Sequence, residues 1–151
     1  MNLETYFPYQ LASTAEAFSR QLVQVYGRTY GLSREEWRLL FLLASAGQLN
    51  SLQLAQRTTL DKVQVSRAAT RLENKGLIGR AVADSDRRLR QYTCTEAGKS
   101  LFNEVFPAVQ SCANSILGHM SDDDMNKLKD GLRALERAVA QYGQDQVNEN
   151  S

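Results

Sequence analysis

Apolar residues recur along this chain at steps of three and four over most of its length, the period of helices with one buried face. Between Pro8 and Thr29 they are Leu11, Ala15, Phe18, Leu22, Val25 and Tyr26, and Pro8 suits a first helical turn. Gly31 follows where a left-handed cap residue is wanted. Ser33 and Glu36 have capping-box spacing and open a second helix with Trp37, Leu40, Phe41, Leu43 and Ala44, which Gly47 ends. Asn50 and Gln53 repeat that spacing before a short helix, Ser51–Arg57, and Asp61 caps another, Lys62–Asn74, closed by Gly76.

From Leu77 the pattern changes. Leu77–Val82 and Leu89–Cys94 have the length and the partly β-branched or aromatic content of strands, and the polar run Ala83–Arg88 between them reads as a hairpin loop. Thr95 caps a long helix to about Met120, with Leu101, Phe102, Val105, Phe106, Val109, Ala113, Ile116, Leu117 and Met120 on its apolar face. Pro107 inside it predicts a kink near Asn103. Ser121 with Asp124 opens a last helix whose Met125, Leu128, Leu132, Leu135, Val139 and Tyr142 have the spacing of a coiled-coil seam. Gly143 is expected to stop it, leaving 144–151 as a polar, frayed tail.

Composition narrows the class. A chain of 151 residues, 42% hydrophobic and 23% charged, is a folded protein with one real core. No apolar run approaches the roughly 18 residues that span a bilayer, so no membrane partner is expected. The start MNLETYFPYQ lacks the basic and apolar stretches of a signal peptide, which points to the cytoplasm. Cys94 and Cys112 cannot form a disulfide framework, and His119 with two scattered cysteines does not meet the four ligands of a structural zinc site. A lone histidine at a helix end is more often a cap or a solvated side chain. With no nucleophile elbow and no phosphate loop, neither an enzyme nor a cofactor is expected.

The net charge of +1 argues weakly against nucleic acid, but its distribution argues the other way. Residues 51–90 hold nine cations and four anions, a balance of +5, and the rest of the chain carries −4. Charged helices often have merely solvated faces. Here, however, the basic segment coincides with a helix, a turn and a second helix. Small Ala55 permits close approach, and Val65, Ala69 and Leu72 share a narrow buried arc. The opposite arc carries Arg67, Thr70 and Asn74, flanked by Gln64, Ser66 and Arg71. Hydroxyl, amide and guanidinium groups on one face are those that read base edges in a major groove, and Lys62 in the first turn suits a phosphate.

The runs "YGLSREEWRLL", "LAQRTTLDKVQVSRAATRLENKGLI" and "DSDRRLRQYTCTEAG", from Ser33 to Gly98, resemble the MarR-type winged helix-turn-helix regulators. The resemblance implies a mainly α fold with a small β-hairpin wing. A winged helix-turn-helix over 33–98 would sit in a helical dimerisation frame of about six helices and two or three short strands, all within a single domain, 1–151. It implies a recognition helix at 62–74 entering the major groove of double-stranded DNA and a wing at 78–94 whose tip reaches the minor groove. It further implies a homodimer through 8–30 and 96–142. Arg87 and Arg88 match the wing arginines, and Asp84 and Asp86 are read as anchors orienting them. Two positions depart from the pattern: Thr59 stands at the turn, and Cys94 where Leu is usual.

The function expected is a DNA-binding regulator, a repressor on a pseudo-palindromic operator released by a small aromatic or lipophilic effector. Tyr26, Tyr30, Arg34, Trp37, Arg38 and Phe41 are the candidate pocket residues, each also readable as core or surface. Two alternatives are a thiol-based redox regulator and a helical protein-interaction module. A thiol at a core strand position is more often a small packing residue than a sensor.

Overall fold

The computed structural model describes residues 1–82 and 88–151. After a 3-10 turn at Leu3–Thr5 come α1 (Phe7–Arg28), α2 (Arg34–Ala46), β1 (Gln48–Asn50), α3 (Ser51–Arg57), α4 (Lys62–Asn74), β2 (Ile78–Val82), β3 (Arg90–Cys94), α5 (Glu96–Leu117) and α6 (Asp122–Glu149). The residues cluster into two compact units, Met1–Cys112 and Ala113–Ser151, with the division inside α5. No helix among the described residues is long and apolar enough to cross a membrane.

Local chemistry sets most boundaries of the first unit. Ser33 Oγ accepts from the Glu36 amide at 3.1 Å and starts α2. Asn50 and Gln53 exchange both bonds of a capping box at 2.8 and 2.9 Å. Thr95 Oγ1 accepts from the Gly98 amide at 3.0 Å while donating to the Gly76 carbonyl at 2.7 Å, which starts α5 and ties it to the end of α4. Gly31, Gly47 and Gly76 take φ values of +67, +79 and +73°, left-handed turns that a side chain would strain.

The core is one cluster. Leu39, Leu40 and Leu43 of α2, Leu54 of α3, Ala68, Ala69 and Leu72 of α4 and Val105 of α5 are fully buried. Leu49, Ile78, Tyr92 and Cys94 close it from the sheet, an antiparallel ribbon in the order β1-β3-β2 with Tyr92 opposite both Leu49 and Arg80. α4 therefore rests on a packed floor that extends from α2 to the hairpin.

Four expectations need correction. The strand at Gln48–Asn50 has no sequence signal, because three residues are too few to show an alternation. The hairpin strands begin one residue late, at Ile78 and Arg90. α5 ends at Leu117, and its last amides turn into 3-10 bonds from His119 to Ile116 and from Met120 to Leu117. Gly143 does not end α6, which continues to Glu149. An exposed glycine costs a helix about 1 kcal/mol but breaks no bond, and no proline follows it.

Candidate nucleic-acid interface and adjoining cavity

The helix Lys62–Asn74 opens with a capping box: Asp61 Oδ1 accepts from the Gln64 amide at 2.8 Å, and Gln64 Oε1 accepts from the Asp61 amide at 3.0 Å. Val65, Ala68, Ala69 and Leu72 are buried, so the opposite arc is held outward. On it lie Lys62, Ser66, Arg67 and Thr70, all exposed. Three of the residues read as base contacts have commitments of their own. Gln64 has its carbonyl oxygen in the cap. Thr70 Oγ1 donates to the Ser66 carbonyl at 3.0 Å. Arg71 lies with Nε 3.6 Å from Oε1 of Glu36, a side chain only 5% exposed.

Val63, 57% exposed on the first turn, is a further candidate that the sequence reading above does not include. Its signal was available, since it falls outside the buried arc of its helix. Behind the helix, Arg80 Nε lies 3.0 Å from Glu73 Oε1, an ion pair that joins β2 to α4. A crevice of about 460 Å³ between α3, α4 and the hairpin is lined by Ser51, Lys62, Ser66, Arg80, Arg88 and Arg90, among others. Its cationic lining adjoins the exposed arc. Of the wing residues, Arg88 is exposed and described, while Asp84, Asp86 and Arg87 lie outside the described residues.

The candidate effector residues separate into two groups. A cavity of about 470 Å³ is lined by Tyr26, Trp37, Arg38 and Phe41, as expected, and also by Phe18, Ser19, Leu22, Leu42, Arg57, Thr58 and Thr59. Its walls are aromatic. Trp37 stacks between Tyr26 at 5.4 Å and Phe102 at 5.7 Å, and Phe41 meets the edges of Trp37 and Phe102. Burial pushes the Tyr26 phenol up from its ordinary value. Arg38 Nη1 donates to Thr59 Oγ1 at 2.7 Å, which links the cavity to the α3–α4 turn. Thr59 thus has a role at the turn, and no residue of that turn needs a left-handed backbone.

Tyr30 and Arg34 do not line the cavity. Arg34 instead forms a two-pronged pair with Glu16, at 2.9 and 3.0 Å, joining α2 to α1. The thiols favour packing over sensing. Cys94 is buried, and burial pushes its thiol up, leaving little thiolate to react. Cys112 is half-buried, with Sγ 3.8 Å from the Gln21 carbonyl.

Residues 30–89 match a model of the MarR family. A curated relative, the HTH-type transcriptional regulator FarR of Neisseria gonorrhoeae, is 29% identical over 104 residues, which span 69% of this chain and 71% of FarR. Among solved structures, a MarR/EmrR family transcriptional regulator from Acinetobacter sp. ADP1 is similar at a TM-score of 0.81 and 23% identity, over 93% of this chain and 99% of that one. NadR in complex with 4-hydroxyphenylacetate is similar at a TM-score of 0.72 and 25% identity, over 89% of this chain and 95% of NadR.

Proposed function

This chain carries a MarR-family winged helix-turn-helix over residues 30–89, and from that premise we propose that it is a cytoplasmic, homodimeric repressor that binds a pseudo-palindromic operator and is released by a small ligand. One observation carries the reading. The helix Lys62–Asn74 is anchored by Val65, Ala68, Ala69 and Leu72 and offers Lys62, Ser66, Arg67 and Thr70 to solvent. A guanidinium and hydroxyls on a rigid, convex helix reach base edges in a major groove, and Val63 suits a thymine methyl. Lys62 and the crevice cations Arg88 and Arg90 suit the backbone phosphates, with Arg87 beside them at the wing.

A twofold supports both the second copy and the operator. Recognition helices of a dimer occupy successive major grooves at about 34–36 Å, which demands two half-sites. The segments 8–30 and 96–142 are the proposed dimerisation helices. Their support is the exposed apolar stripe of α6, Leu128, Leu132, Val139 and Tyr142, which a solitary chain leaves in water.

The effector reading rests on the cavity. Stacked aromatic walls with Arg38 and Arg57 in the lining fit a small aromatic carboxylate, the chemical class that NadR holds in its complex with 4-hydroxyphenylacetate. The ligand weakens DNA binding only by its differential affinity for the two arrangements of the dimer.

Equilibrium titration of a promoter-like duplex tests the reading. Affinity falls with salt at a log–log slope of about −0.9 per neutralised phosphate. Arg67→Ala weakens specific binding by about 1–3 kcal/mol while the melting temperature holds. Binding that is absent at low ionic strength, or indifferent to Arg67, overturns it.

A further inference from the structure

Among the described residues Glu36 is the one buried charged side chain, 4% exposed on the first turn of α2. Its carboxylate faces two cations of α4 and its cap. Oε2 receives Lys75 Nζ, and Oε1 lies 3.6 Å from Arg71 Nε. Lys75 Nζ also donates to the Gly31 carbonyl at 3.0 Å, so the same ammonium holds the corner between α1 and α2. Both cations are partly solvent-exposed, at 51% for the Arg71 side chain and 40% for Lys75. They belong to the basic segment, and Arg71 flanks the exposed arc.

By position alone, Arg71 and Lys75 would be counted among the cations that face DNA. Their partner argues otherwise. A phosphate that drew either cation away would leave a buried carboxylate short of its counter-charge, a far larger penalty than an exposed ion pair returns. We propose that Glu36 is an internal counterion that withholds Arg71 and Lys75 from the DNA backbone, and so acts as a positioning residue that sets the ratio of specific to indiscriminate binding.

The two modes of binding draw on different contacts. Indiscriminate binding is nearly all phosphate neutralisation, whereas specific binding adds base contacts. Two cations removed from the phosphate count lower the first mode and leave the base-reading arc intact. The inference rests on the DNA-binding reading above, and its test separates the two.

Fluorescence anisotropy on a random-sequence duplex, from about 50 to 200 mM KCl, compares the native protein with E36Q and with E36Q/R71M/K75M. E36Q frees both cations and steepens the log–log slope by up to about 1.8 per bound protomer, an extra loss of about tenfold in affinity across that range. The triple variant returns the slope to the native value. A purely structural role for Glu36 lowers the melting temperature and leaves the slope alone. An unchanged slope in E36Q overturns the proposal, as does a triple variant about 1.8 shallower than native, since the cations would then already lie on phosphates. The triple variant replaces the whole buried set with uncharged groups and decides the question if E36Q does not fold. Binding that is absent or independent of salt in the native protein overturns the DNA reading and this proposal together. Salt-dependent native binding with either contrary slope overturns this proposal alone.

Discussion

Gly98 sits on the first turn of α5 against the hairpin, where a Cβ would overlap the Leu77 carbonyl oxygen and approach Cys94 Sγ to 2.8 Å. The carbonyl is fixed, because it also accepts from the Thr95 amide at 3.1 Å. Gly98→Ala therefore destabilises the fold by about 1–3 kcal/mol, read as a lower urea midpoint at an unchanged slope. An unchanged midpoint would show that α5 can shift here. Glu16 offers a second check at this scale. The two-pronged bond from Arg34, with its charge and that of Arg20, holds the Glu16 carboxyl below the usual carboxylate range. A lowered folded value means stability that is present in full above the unfolded value and is lost as pH falls through the folded one. Native protein and Glu16→Gln should thus differ in urea midpoint at neutral pH and converge below the ordinary carboxylate range. A gap that widens on acidification contradicts this.

At the scale of elements, the structure separates what sequence spacing can reveal from what it cannot. Ser51–Arg57 and Lys62–Asn74 were legible to the residue, because each begins beside its own capping side chain and the cap is a local event. Asp61→Ala tests that locality. Loss of the box at the start of α4 costs about 0.5–2 kcal/mol in unfolding free energy, and an unaltered stability would assign the boundary to packing alone. Partners brought together through space were not legible. Nothing in the interval from Glu36 to Arg71 says that the two side chains meet, so helical spacing alone sets Arg71 beside the base-contacting arc. Gln64 shows the complementary ambiguity, since one amide at the third helical position suits both a cap and a base edge. The cavity was half legible: aromatics on the first two helices marked Tyr26, Trp37 and Phe41, whereas Thr58 and Thr59 arrive from a turn that no periodicity connects to them.

For the whole molecule, the informative quantity is what one chain leaves uncovered. α6 has no buried residue, and Leu128 and Leu132 are 42 and 44% exposed along one stripe. A contiguous apolar stripe of that kind marks a surface that another apolar surface covers. A charge in its centre, Leu132→Asp, should convert the proposed dimer to a monomer in sedimentation equilibrium while the far-UV circular dichroism of the chain stays helical. A dimer that survives the substitution removes this helix from the interface. The charge arithmetic fits the same picture. A +5 segment within a chain of net +1 can hold an anionic polymer on one side without coating itself in it elsewhere.

Three successive residues of α2 face three ways. Glu36 meets the far end of α4, Trp37 walls the cavity, and Arg38 bonds Thr59 just ahead of the near end. A rod gripped at both ends by one neighbour cannot be tipped without loosening a grip, and is most readily carried whole. The side chains that do the gripping are not those on the outward arc. Under the function proposed above, substitutions at Arg67, Ser66 or Thr70 would retarget the protein to a new operator and leave the proposed ligand's handle on α4 unchanged. A lineage could rewire which genes it governs and keep the signal it answers to.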